Sequence, residues 1–124
     1  MTRILIIDDD QAHLDSARGI LEAEGYEVHT QSQPFGSTNA VIRLKPDLVL
    51  LDVNMPALSG DRLAEVLRGN AMTRDVMVVL HSSNDEDHQR TTARRLGLDG
   101  YICKGSPAML RRKVAGLVGK EAGV

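Results

Sequence analysis

Short, nearly unbroken aliphatic runs recur along this chain at intervals too wide for hairpins, and they constrain the fold more than any other feature. They are Ile4-Leu5-Ile6-Ile7, Leu48-Val49-Leu50-Leu51, Val76-Met77-Val78-Val79-Leu80 and the weaker Gly100-Tyr101-Ile102-Cys103. Runs without polar alternation suit strands covered on both faces, as in a parallel sheet. Glu27-Val28-His29-Thr30 alternates instead and fits an edge strand. Aromatic residues make up only 2% of the chain, so the core must be built from Leu, Val, Ile and Met.

The segments between the runs carry helical spacing. Leu14, Ala17 and Leu21 share one face, with Gly25 just past the end. Val41 and Leu44 precede Pro46, which stops the second helix. Leu63, Val66 and Leu67 mark the third. In the fourth, Asp85, Glu86 and Asp87 fill the first turn and Arg90, Arg94 and Arg95 come later, an order that complements the helix dipole. Its apolar stripe is little more than Ala93 and Leu96, which predicts weak docking. The fifth opens with Ser106 as cap and Pro107 at its first position, then buries Leu110, Val114, Leu117 and Val118. Five strands alternating with five helices imply a doubly wound α/β sheet. The expectation is one domain over residues 1–124, with 119–124 a frayed tail.

The bulk numbers exclude several classes. A net charge of −2 argues against a nucleic-acid binder that works through a strong positive field. The single cysteine, Cys103, forbids an internal disulfide, and no Cys/His cluster has zinc-site spacing. The first strand begins too early for a signal peptide, and no run reaches the about 18 apolar residues of a membrane span. A soluble cytoplasmic protein is the expectation. His81 and His88 read as polar packing or surface residues, Cys103 as buried and inert, and the arginines of the fourth and fifth helices as solvated faces.

The chemistry sits where the apolar runs stop. The first strand ends in Asp8-Asp9-Asp10 and the third in Asp52. In a parallel sheet all carboxyl ends lie along one edge, where ligands bind at the topological switch point. Carboxylates brought together there repel one another unless a cation joins them, and a hard divalent ion with oxygen ligands, Mg²⁺ above all, suits the set. The Asp triplet also reads as a helix cap, but one Asp suffices for a cap. Asp10 can fill that role, leaving Asp8 and Asp9 unexplained.

Ile6-Ile7-Asp8-Asp9-Asp10 followed by Leu50-Leu51-Asp52-Val53-Asn54-Met55-Pro56 and Gly60 resembles the receiver domain of two-component response regulators, over about residues 3–118. The resemblance implies a flavodoxin-like strand order 2-1-3-4-5, with Asp52 as phosphoacceptor. It implies Mg²⁺ held by Asp8, Asp9, Asp52 and the Asn54 main-chain carbonyl. Ser82, after the fourth strand, matches the hydroxyl that bonds the phosphoryl group, Lys104 the lysine that pairs with a phosphoryl oxygen, and Tyr101 the aromatic coupled to that hydroxyl. The partners implied are a sensor histidine kinase or histidine phosphotransfer protein and a downstream protein target reached through the fourth helix, fifth strand and fifth helix, with no direct nucleic acid and no membrane insertion.

Each role phosphoryl transfer requires is then filled once: a carboxylate nucleophile, a metal, a cation and a hydrogen-bond donor. Gly105 departs from the pattern, standing where the family usually has proline, and Ser83 stands for a common alanine. Asn54 and Asn84, two residues beyond the acceptor and the hydroxyl, cannot act as general bases. Two other readings remain open at this point. Asp8-x-Asp10 also resembles the nucleophile and acid of haloacid-dehalogenase-like phosphatases, although the chain lacks their downstream acidic pair. A degenerate receiver could serve purely as a protein-binding module.

Overall fold

A computed structural model describes residues 1–56 and 58–119. Its elements run β1 (Arg3–Ile7), α1 (Gln11–Ala23), β2 (Glu27–Gln31), α2 (Ser37–Leu44), β3 (Leu48–Leu51), α3 (Gly60–Gly69), β4 (Met77–Ser82), α4 (Glu86–Leu96), β5 (Gly100–Cys103) and α5 (Pro107–Val118). The strands form one sheet in the order β2-β1-β3-β4-β5, every pairing parallel. This is the doubly wound order implied by the resemblance, with β2 at one edge.

Period-two alternation within apolar strands builds two cores at once. Ile4, Ile6, Leu48, Leu50, Val79 and Ile102 face one side, where they meet Leu14, Ala17 and Leu21 of α1 and Leu110 and Val114 of α5. Leu5, Ile7, Val49, Leu51 and Val78 face the other and meet Ala40 and Val41 of α2 and Leu63, Ala64 and Leu67 of α3. The central strand β3 is wholly buried. A third, much smaller cluster of Val53, Leu80 and Ala93 lies under α4, with Leu98 and Tyr101 against it.

Helix boundaries follow the local signals. Asp10 caps α1, accepting from the Ala12 and His13 amides. Ser106 caps α5 with Pro107 in its first turn. Three expectations are corrected. Val66 is 46% exposed, and the buried face of α3 runs instead through Gly60, Leu63, Ala64 and Leu67. Asp85 is the cap of α4 rather than part of its first turn, and the buried face of α4 is Gln89, Thr92 and Ala93, with Leu96 only half-buried. Strand β4 runs on through His81 and Ser82, so Ser82 ends the strand rather than following it. Gly119 closes α5 with a left-handed backbone, and the rest of the expected tail lies outside the described residues.

Candidate functional site

Asp8 and Asp52 follow directly on β1 and β3, two neighbouring strands in register, with Ile7 opposite Leu51. Both carboxylates are buried, whereas Asp9 is exposed. One oxygen from each of Asp8, Asp9 and Asp52 can be chosen so that all three lie within 4.8 Å of one another. Lys104, in the turn after β5, reaches into this cluster. Its Nζ lies 2.6 Å from Asp8 Oδ2 and 3.7 Å from Asp52 Oδ2. Two acidic strand ends and one ammonium, far apart in sequence, therefore share one hollow.

Local hydrogen bonds fix the carboxylates. Asp8 Oδ1 accepts from the Asp10 amide at 2.9 Å, and Asp52 Oδ1 accepts from the Asn54 amide at 3.2 Å. Burial pushes the Asp52 carboxyl above the usual carboxylate range. The Asn54 amide and the Lys104 charge oppose that rise, and the neighbouring Asp8 charge adds to it.

Gly60 shows why the segment after Asp52 needs a glycine. A Cβ on Gly60 would stand 2.3 Å from the Asp52 carbonyl oxygen and 2.7 Å from Val53 Cα. The first turn of α3 thus rests directly on the backbone of Asp52 and Val53, with the Gly60 amide donating to the Val53 carbonyl at 3.2 Å.

Ser82 is fully buried at the end of β4. Its Oγ accepts from Asn54 Nδ2 at 3.2 Å and from the Asn84 amide at 3.1 Å. Asn54 Nδ2 also donates to Asn84 Oδ1 at 2.8 Å, so the β3 and β4 loops are laced together. The Lys104 amide donates to the Ser82 carbonyl at 2.8 Å, which ties the lysine to the same strand end. Tyr101 is half-buried and turned towards the helices. Its hydroxyl donates to Glu86 Oε1 at 3.0 Å, Lys113 Nζ sits 4.7 Å from the ring centroid and the Arg90 guanidinium 5.7 Å.

A family model described as the response regulator receiver domain matches residues 4–115. The chain belongs to this family. The receiver is 34% identical to the transcriptional regulatory protein PrrA of Mycobacterium tuberculosis over 91% of this chain and 47% of that protein, so it spans about half that relative's length. It is 31% identical to the protein PilH of Pseudomonas aeruginosa over 84% of this chain and 86% of that one. Among solved structures, a CheY-like receiver domain protein from Methanospirillum hungatei matches with a TM-score of 0.82 at 30% identity, covering 97% of this chain and 95% of that chain.

Receiver domains generally bind Mg²⁺ at an acidic pocket, and the donors here fit one. All three carboxylates are hard oxygen ligands, and two are held by backbone amides at one oxygen. The phosphatase reading, by contrast, loses its acid. Asp10 is spent on capping α1, where its Oδ1 takes two amides.

Three features of the receiver went unread in its sequence. Gln89 is fully buried, donating to the carbonyls of Ser82 at 3.1 Å and Asn84 at 2.8 Å, while its Oε1 has no partner among the described residues. The signal was the spacing of Gln89, Thr92 and Ala93, a helical stripe that hydrophobicity alone does not register. His13, in the first turn of α1, places Nδ1 3.1 Å from Lys104 Nζ. Gly105 adopts φ +108°, a backbone that proline, fixed near −65°, cannot follow, so the departure at this position is a different loop geometry. Cys103, expected to be buried, is half-buried.

Proposed function

We propose that this receiver accepts a phosphoryl group on Asp52 from a phosphohistidine of a sensor kinase or histidine phosphotransfer protein. The observation that carries the reading is the meeting of Asp8, Asp9 and Asp52 oxygens within 4.8 Å, closed by the Lys104 ammonium. Asp8, Asp9, Asp52 and the Asn54 carbonyl would hold Mg²⁺, which when bound supplies neutralising charge for the phosphoryl oxygens.

An Asp52 oxygen forms the new P–O bond while the P–N bond to the donor imidazole breaks. The imidazole leaves with the electron pair and is protonated by solvent. Charge left on the phosphoryl oxygens is met by Lys104 as a point charge and by the Ser82 hydroxyl as a donor. Each step is a single transfer to the protein, which makes the chain a signalling acceptor rather than a turnover enzyme.

Recruitment of Ser82 by the new oxygens would loosen its bonds to Asn54 and Asn84. The loop that Gln89 ties to α4 would then move, and with it Tyr101 and the α4, β5 and α5 surface. The small cluster beneath α4 supports this, because little apolar contact opposes the movement. A downstream protein would read that surface, or the phosphoryl group would pass on in a relay. Among the described residues no helix is long and apolar enough to cross a membrane, and a cytoplasmic site of action is part of the proposal.

The test is incubation with phosphoramidate and Mg²⁺ beside Asp52→Asn. Wild type should gain one base-labile phosphate per chain and the variant none. Labelling of the variant, or labelling of wild type that persists undiminished after chelation of divalent ions, would defeat the reading.

A further inference from the structure

Beside Lys104 a second hollow opens between α1 and the start of α5, with a volume of about 200 Å³. Ser16 and Ile20 of α1, His81 of β4, and Ser106 and Leu110 at the start of α5 form its walls with Lys104. None of these residues except Lys104 takes part in the phosphoryl chemistry above. The space equals roughly seven waters at about 30 Å³ each, which suits a fragment-sized molecule rather than a nucleotide.

His81 is the group that points to a ligand. It is 8% exposed, yet its ring has no hydrogen-bond partner among the described residues. Burial first, and then the Lys104 charge, pushes its pKa down to about 4. The imidazole is therefore neutral near pH 7 and presents one N–H donor and one bare nitrogen. The ring nitrogens are not sealed from solvent, and His81 lines the hollow, so a molecule held there can reach them.

The rest of the lining narrows the chemistry. The α5 helix has no acidic residue in its first turn, so the positive end of its dipole is uncompensated by a side-chain charge. Lys104 adds one cation, already shared with Asp8 and 3.1 Å from His13 Nδ1 on the same wall, and no arginine lines the space. That balance suits a single negative charge better than a phosphate dianion. Ile20 and Leu110 supply apolar wall for a short tail.

We propose that this hollow binds a small organic carboxylate, its head towards Lys104, His81 and the start of α5, and its apolar tail against Ile20 and Leu110. Such binding uses no step at Asp52, and it shares only Lys104 with the phosphoryl reading.

Titration of the full chain with benzoate, followed by amide nitrogen–proton NMR, tests it. Saturable shifts are expected at residues 16–20, 81 and 104–110, with benzamide binding at least five-fold more weakly. His81→Phe should weaken benzoate at least ten-fold while leaving the remaining spectrum folded. Should that variant fail to fold, Ile20→Ala serves instead and should erase the preference for benzoate over acetate. Non-saturating shifts, equal affinity for benzamide, unchanged affinity in the variants, or shifts confined to residues 8–10 and 52–54 would each overturn the proposal.

Discussion

The two helices that flank the sites on β1 and β4 are held by different forces. Helix α1 docks through Leu14, Ala17 and Leu21, part of the large core that covers one whole face of the sheet. Helix α4 docks through Gln89, Thr92 and Ala93, with only Val53 and Leu80 as buried apolar partners in its small cluster. Burying a leucine contributes about 1.5–3 kcal/mol, whereas one internal hydrogen bond contributes only about 0.5–1.5 kcal/mol net. The half that would hold the acceptor is thus rigidly packed, and the half that would report its state is held by bonds that can be exchanged one for another. A receiver needs both properties, and the sequence separates them by helix.

The comparison is broken most forcefully at α1. Leu14→Ala should cost about 2–5 kcal/mol of global stability through the cavity it leaves, measured as a shift of the urea midpoint at constant slope. A loss below about 1 kcal/mol would mean that α1 is not anchored by this core.

His81 sharpens the comparison on the β4 side, where its ring is largely buried and makes no hydrogen bond among the described residues. Its folded pKa of about 4 lies below the ordinary value of 6.5, so the unfolded chain takes up the extra proton as pH falls. Stability is accordingly full above about pH 6.5 and is lost towards pH 4, by up to about 3 kcal/mol. Lys104 and His13 depress the value and Asp8 opposes them, so part of the slope belongs to those neighbours. His81→Phe should flatten the difference in denaturant midpoint across that window, and an unchanged slope would assign it elsewhere.

Gly60→Ala addresses the join between α3 and the acceptor strand. With the added methyl 2.3 Å from the Asp52 carbonyl oxygen, the helix start must shift. The expected cost is about 1–3 kcal/mol, together with slower phosphorylation of Asp52 by phosphoramidate. Full rate and full stability would show that the approach can relax freely.

The smallest global effect is expected from Gln89→Met. It removes a buried oxygen without a partner among the described residues, along with two hydrogen bonds to carbonyls and a weak third to Cys103 Sγ, so the net change should stay within about 1 kcal/mol. Amide exchange over residues 82–89 should nevertheless quicken, because the loop loses its tie to α4. Unchanged local exchange would show that this tie does not hold the loop.

Much of this was legible beforehand. The aliphatic runs gave away the strands, the edge alternation gave away β2, and Asp10, Ser106 and Pro107 marked helix starts correctly. The convergence of Asp8, Asp9 and Asp52 followed from parallel strands ending on one edge, and Lys104 came from the family resemblance. Other features resisted reading for physical reasons. The rotation of α3 is set by the close approach at Gly60 and by the small Ala64, so Val66 faces water although it is the larger apolar residue. The docking face of α4 is polar, and a buried glutamine looks like a surface residue in any hydrophobicity pattern. His13 and His81 meet Lys104 only in three dimensions, across three separate elements.

The lacing of Ser82 carries a last consequence. Both of its recorded bonds are ones in which the oxygen accepts, from the Asn54 side chain and the Asn84 main chain. With its lone pairs occupied, the hydroxyl proton is left as the group's free valence. An oxyanion arriving on the neighbouring strand would therefore meet that proton first, and drawing it in would pull on both bonds the oxygen accepts.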